Sequence, residues 1–213
     1  MGTMHRRRGL FLITVLLRIF PPHLSAQGPP PSSEPAPPPH HANAARTPSA
    51  VSETTYRNSQ FAFTYKVPFG WVDRTQQMQD PGADPQKSKL LLAVFERPPE
   101  AVGDTINSAV VIAAESVASY PGLKTAADFI APLTELTASK GFQAVGDPSE
   151  ISIGITPLVR LDFSRDLGKL TMRQSSLVLV RNKFVVSFTF IAASADELDE
   201  LISKLSFNPQ KSK

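Results

Sequence analysis

Alternating apolar and polar positions, together with short continuous apolar runs, fill most of the chain between residues 61 and 192. A repeat of two is typical of β-strands, because successive side chains point to opposite faces of a sheet. Pro, Gly, Asn and Asp residues separate these stretches. The pattern predicts strands over residues 61–67, 89–97, 107–117, 142–153, 158–163, 170–180 and 184–192.

Two stretches change to the helical period. Apolar residues recur at helical spacing over residues 124–140, where Thr125 and Asp128 resemble a capping box and Gly141 follows as a stop signal. Pro132 either kinks this helix or marks a second start. The second helix opens at Ser194, which forms a capping box with Glu197 ahead of four apolar residues at i, i+3, i+4 and i+7.

The stretch Phe61–Trp71 carries a family resemblance. Phe61, Phe63 and Tyr65 share one face of the first predicted strand, which ends in Pro-x-Gly-Trp. This opening, the order of strands and helices after it, and a terminal helix ending in Ser206-Phe207 resemble the Mog1/PsbP-like superfamily. The resemblance covers roughly residues 56–207. It implies an α+β fold, an antiparallel β-sheet with helices packed on its faces in an α/β/α sandwich, and it brings no shared catalytic motif.

The first 26 residues have the pattern of a secretory signal peptide. His5 and three arginines precede an apolar run over residues 9–17, and Leu24-Ser25-Ala26 is a plausible cleavage site. An uncleaved anchor is the alternative, but the run is too short to cross a hydrocarbon core of roughly 30 Å. We therefore expect a secreted or periplasmic protein, with no integral membrane span after cleavage.

Proline content separates the regions that follow. Half of the 20 prolines precede residue 50, so residues 27–55 are predicted to be a disordered, Pro-rich linker, either an inert tail, a spacer or a docking segment. The domain is expected over residues 56–207, and residues 208–213 form a basic tail. Without residues 1–26, 18 basic residues face 19 acidic ones, which argues against a nucleic-acid partner.

The composition of the domain narrows its chemistry. The chain has no cysteine, and all four histidines lie outside residues 56–207. Ser-His, Cys-His and His-ligated metal catalysis are therefore not expected inside the domain. We predict no catalytic residue, no cofactor and no metal, and we expect a protein that is not an enzyme.

Two groups of residues are candidates for a ligand or partner surface. Tyr65, Phe69 and Trp71 could line a groove at the end of the sheet, although aromatic residues in such a strand more often fill the core. Arg160 and Asp162 share a strand face. Asp162 and Asp166 flank Arg165, and such paired carboxylates could do acid–base work. A solvated ion pair between Arg160 and Asp162 is the more ordinary interpretation.

Three hypotheses for function follow. The first is an exported binding or accessory module that contacts an unknown protein partner in an extracytoplasmic assembly. The second is a carrier of an apolar small molecule or lipid, which requires an apolar pocket of a few hundred Å³. The third is a carboxylate-based hydrolase, which requires two acids about 5–10 Å apart in one cleft.

Trp71 supplies a test of the resemblance. We expect a largely buried indole, whose replacement by alanine would lower the free energy of unfolding by about 3–5 kcal/mol.

Overall fold

The structure is a computed structural model and describes residues 54–101 and 103–207. The predicted signal peptide, nearly all of the predicted linker and the C-terminal tail lie outside these residues. The strands are β1 Thr55–Asn58, β2 Phe63–Lys66, β3 Val72–Asp73, β4 Ser88–Phe95, β5 Ala109–Ser116, β6 Gln143–Ile153, β7 Thr156–Leu167, β8 Leu170–Arg181, β9 Phe184–Ala192 and β10 Leu205–Phe207. The α-helices are α1 Thr75–Met78, α2 Ile130–Ala138 and α3 Ala195–Ser203, and two 3₁₀ turns cover Val117–Ser119 and Ala127–Phe129.

A seven-stranded antiparallel sheet forms the centre of the domain, in the order β3-β4-β5-β9-β8-β7-β6. One face is covered by α2 and the two 3₁₀ turns, whose Phe129, Leu133 and Leu136 are buried against it. The other face is covered by α3 and by a three-stranded sheet in the order β1-β2-β10. This arrangement confirms the α+β class predicted from the sequence.

Aromatic side chains hold the small sheet on the large one. Phe61, Phe63 and Tyr65 are fully buried. Their rings pack on residues of β9, with ring centroids 5.7 Å apart for Phe61 and Phe184, and 5.1 Å apart for Phe63 and Phe188. The apolar face predicted for this strand is therefore correct. The strand is shorter than predicted, because Phe61 and Ala62 form a turn in which Ala62 has a φ of 52°.

Three hairpins of the large sheet close with two-residue loops. Asn182 and Lys183 both have positive φ, as a type I′ turn requires, and they connect the paired residues Arg181 and Phe184. Lysine suits positive φ less well than asparagine does, but the right-handed twist of the flanking strands favours this turn.

Both predicted caps form, one at the start of α3 and one ahead of the 3₁₀ turn before α2, whose own N-cap Phe129 has no side-chain cap bond. The Ser194 hydroxyl oxygen accepts a hydrogen bond from the Glu197 N–H at 3.2 Å. The Asp128 carboxylate accepts one from the Thr125 N–H at 2.8 Å. Pro132 lies in the first turn of α2, after the 3₁₀ turn, so the second start is the correct alternative.

Two sequence expectations are wrong at the edges of the small sheet. Ser206 and Phe207 do not end the terminal helix but belong to β10, which pairs with β2. β1 was not predicted as a strand, although it pairs with β2 along its full length. Both strands are too short to show a period of their own, and within the described residues β2 is the strand with which each of them pairs.

Residues 146–148 lie within β6, at an irregularity in its pairing with β7 between Val145 and Ser149. Gly146 has a φ of 75° there.

Within the described residues, no helix has the length and apolar character needed to cross a membrane.

Trp71 is half-buried rather than largely buried, and it packs against the aromatic face of the sheet. We therefore expect Trp71→Ala to lower the free energy of unfolding by about 1–3 kcal/mol, less than a fully buried aromatic residue would cost. Chemical denaturation measures the change. Phe69→Ala is the control, because Phe69 is 72% exposed and its loss should cost about 0.5 kcal/mol or less. Equal losses in the two variants would contradict this placement of Trp71.

Candidate functional site

A pocket of about 300 Å³ opens where the edges of the two sheets face each other. β1 is an edge strand of the small sheet. β4 lies near an edge of the large sheet, because β3 pairs only with Val94 and Phe95. Tyr56, Leu91 and Leu92 line the strand side of the pocket. The other side is formed by α1 and the residue before its N-cap.

Hydrogen bonds attach α1 to the edge of β4. The Asp73 carboxylate accepts a hydrogen bond from the Thr75 N–H at 2.8 Å, which starts the helix. The Thr75 hydroxyl oxygen in turn accepts one from the buried Ala93 N–H at 2.9 Å, and the Arg74 N–H donates to the Ala93 carbonyl at 2.8 Å. A four-residue helix could not stand alone, so these bonds position the wall of the pocket.

Leu91 reaches the pocket because of a β-bulge. Leu90 pairs with Ala113 and Leu92 with Ile112, so Leu91 is an extra residue with no partner in the register with β5. A bulge locally re-aims the side chain at that position. Leu91 is half-buried, whereas Leu92 is almost fully buried.

The lining mixes apolar and polar groups. Asp73, Thr75, Gln76 and Gln77 contribute the polar atoms. Among the lining residues that the structure describes, Asp73 alone carries a formal charge at neutral pH. The neighbouring Arg74 makes an ion pair with Glu100 at 3.1 Å and does not line the pocket. The pocket can therefore offer a carboxylate, amide groups and an apolar wall to a small ligand.

The residues predicted from the sequence lie elsewhere. Tyr65 is fully buried, and its hydroxyl has no hydrogen-bond partner among the described residues. Burial raises the pKa of the Tyr65 hydroxyl, and the nearby Glu200 carboxylate raises it further. Tyr65 thus belongs to the core. Phe69 is exposed and Trp71 half-buried on the segment that follows.

Arg160 and Asp162 form an ion pair, as the sequence led us to expect. Arg160 Nε lies 2.9 Å from Asp162 Oδ1, and Arg160 Nη1 lies 3.0 Å from Asp199 Oδ1 on α3. Burial lowers the pKa of Arg160, but the hydrogen bonds to the two carboxylates outweigh it and raise the net value. The three side chains join β7 to α3.

The two predicted groups are not brought together in one site by the topology. Arg160 lies on β7, whereas Tyr65 packs on Phe190 of β9, two strands away. A role for these residues in a partner surface stays a prediction.

The pocket was not predicted from the sequence. Its local signal is Asp73, which lies two residues before Thr75. This spacing is typical of the start of a helix.

No protein-family model matches the chain, and no curated protein sequence matches it. Solved structures are similar to it. Cyanobacterial PsbP from Synechocystis has 14% identity, covers 78% of this chain and 98% of its own, and gives a TM-score of 0.49. The Ran-binding protein Mog1p from Saccharomyces cerevisiae has 13% identity, covers 74% and 96%, and gives 0.44.

A third similar structure is LpqN, a protein involved in cell envelope biogenesis of Mycobacterium tuberculosis. It has 16% identity, covers 74% of this chain and 91% of its own, and gives a TM-score of 0.38. PsbP and Mog1p are the proteins after which the predicted superfamily is named. The chain is similar to these structures at low identity, and membership of the superfamily stays a prediction from the sequence. At these identities and TM-scores, none of the three bears on function.

Thr75 allows the attachment of α1 to be tested. Thr75→Val keeps the shape of the side chain but removes the acceptor for the buried Ala93 N–H. We expect the free energy of unfolding to fall by about 1–3 kcal/mol, the cost of an unsatisfied buried donor. Thr75→Ser keeps the acceptor and serves as the control in the same denaturation experiment. A valine variant as stable as the serine variant would show that this bond does not hold α1 in place.

Proposed function

We propose that this chain is an exported binding module, which receives an extended segment of a protein partner along the open edge of β6. One observation carries the proposal. β6 is 11 residues long, pairs with β7 on one side, and has no strand of the described residues on its other side. Unpaired N–H and C=O groups along such an edge are a template for a further strand.

The register identifies which backbone groups face outward. Gly154 and Ile155 form a two-residue loop, with Gly154 at a φ of 61°, so the closing pair Ile153 and Thr156 is a hydrogen-bonded pair. Because hydrogen-bonded and non-hydrogen-bonded pairs alternate, Glu150 and Ser152 direct their N–H and C=O groups away from β7. Pro157, opposite Ser152, fits this assignment, since it has no N–H to donate.

The edge also favours one kind of partner. Asp147 and Glu150 are exposed, and β6 contains no basic residue. The irregularity at residues 146–148 and Pro148 interrupt the first half of the strand, a device that limits indiscriminate edge pairing. The regular part that remains is Ser149–Ile153. An extended segment with a basic residue placed opposite Glu150 fits it best.

Export rests on the N-terminal sequence pattern. A chain cleaved after Ala26 would begin at Gln27. We expect the intact mass of the protein from the extracytoplasmic fraction to match residues 27–213. Recovery of the uncleaved chain in the cytoplasmic fraction would contradict export and leave the edge proposal to its own test.

The other two hypotheses receive less support from the geometry. An apolar carrier requires an apolar pocket, whereas the pocket between β1 and β4 has a carboxylate and two amides in its lining. A carboxylate hydrolase requires acids available to a substrate. Asp162 and Asp199 are both bound by Arg160.

A proline on β6 tests the edge directly. Ser152→Pro removes an outward N–H and leaves the β6–β7 hydrogen bonds intact, whereas Ser152→Ala keeps that N–H. With a photo-crosslinking residue at position 149, we expect an adduct with a partner in the native envelope for the alanine variant. We expect its loss for the proline variant. Equal melting temperatures of the two variants serve as the folding control.

Three results would overturn the proposal. An adduct that persists in the proline variant would mean that the contact does not use the backbone of β6. An adduct of twice the chain mass would identify a second copy in place of a partner. No adduct in the alanine variant would mean that the edge is not used.

A further inference from the structure

We propose that the pocket between β1 and β4 binds a small organic cation, an ammonium group attached to a short apolar chain. This site is separate from the open edge of β6, so either proposal can fail without the other. The argument depends on the charge of the lining, the position of the apolar wall and the volume.

The charge of the lining has one sign. Asp73 is exposed, and one of its carboxylate oxygens accepts the hydrogen bond from Thr75 that starts α1. A carboxylate has several acceptor sites, so the group can also accept from a ligand N–H. Lining residues on the other walls are tyrosine, threonine, glutamine and leucine, none of which carries a balancing positive charge.

Neighbouring cations are turned to other partners. Arg74 contacts Glu100 through its Nη2 atom, at 3.1 Å. Arg57 follows Tyr56 on β1, and adjacent residues of a strand point to opposite faces, so Arg57 faces away from the side on which Tyr56 lines the pocket. A ligand ammonium group would therefore meet Asp73 without competition from these two side chains.

The apolar wall comes from β1 and β4, whereas the carboxylate comes from the segment before α1. The bulge in β4 brings Leu91 beside Leu92, and Tyr56 of β1 completes this wall. The Tyr56 ring packs on Phe63 with centroids 5.8 Å apart, and its hydroxyl accepts a hydrogen bond from Asn58 at 3.1 Å. These contacts fix the ring, so it can present a surface to an alkyl chain or a cation.

The volume limits the ligand. At about 300 Å³ the pocket is at the lower end of small-molecule sites. The exposed amide group of Gln76 in the lining provides an oxygen that can accept a further N–H bond. Together these features fit a primary amine with a chain of a few carbons better than a lipid or an anion.

Three probes of equal length separate charge from shape. They are n-butylammonium, n-butanol and butyrate, added to the ¹⁵N-labelled domain while amide chemical shifts are followed. We expect n-butylammonium to shift the amides of residues 73–78 and 91–93 in a saturable way. n-Butanol should shift them more weakly, and butyrate should not shift them.

Asp73→Asn provides the decisive variant. Asparagine retains a carbonyl oxygen for the Thr75 N–H and removes only the charge, so α1 should keep its start. We expect affinity for n-butylammonium to fall by about tenfold or more, the range for hydrogen bonds to charged groups, and affinity for n-butanol to be unchanged. Asp80→Asn is the matched control, because it removes the charge of a carboxylate two residues after α1 that does not line the pocket, and it keeps an oxygen for the Gly82 N–H.

The outcomes are distinct. Unchanged n-butylammonium binding in Asp73→Asn would overturn the proposal, as would butyrate binding as tightly as the amine. An equal loss in Asp80→Asn would indicate general attraction to an acidic surface and would also overturn it. Absence of saturable shifts with n-butylammonium in the parent protein would show that the pocket binds no such ligand.

Discussion

The packing of β2 on β9 is the contact on which the rest of the domain depends. Phe63 and Tyr65 of β2, and Phe61 in the turn before it, face three phenylalanines of β9 at ring separations of 5.1–6.2 Å. Each such pair contributes about 0.5–1.5 kcal/mol beyond its buried area. The contact aligns the small sheet along the large one. Since β1 and β10 pair only with β2, both strands take their position from it.

This packing also determines where edges remain open. The central strands β5, β9 and β8 have side chains buried on both faces of the large sheet, so their ladders are shielded. Within the described residues, the outer edge of β6 and the edge of β4 that faces away from β5 are not shielded in this way. At β4, the short helix α1 satisfies part of the edge through Thr75 and Arg74 and leaves a pocket beside it. At β6, an irregularity and Pro148 weaken the edge without covering it.

The edge of β6 and the pocket between β1 and β4 differ in the groups that they present to a ligand. An open strand edge presents regularly spaced backbone groups, so it suits an extended chain. Binding through backbone groups has little specificity for the sequence of that chain. The pocket presents one carboxylate against an apolar wall, so it suits a small ligand and selects by charge. Both surfaces arise from the ends of the same sheet, where backbone pairing stops.

Strands with a clear period, such as residues 184–192, and capped helices could be predicted from the sequence because those signals are local. The aromatic face of Phe61, Phe63 and Tyr65 was visible for the same reason, and so was the pairing of Arg160 with Asp162. The tertiary structure alone decided that Ser206 lies in a strand, that Leu91 is bulged, and that Asp73 and Tyr56 line the same pocket. Each of these features depends on which distant strand pairs with the segment. The local pattern of apolar and polar residues does not show such pairing.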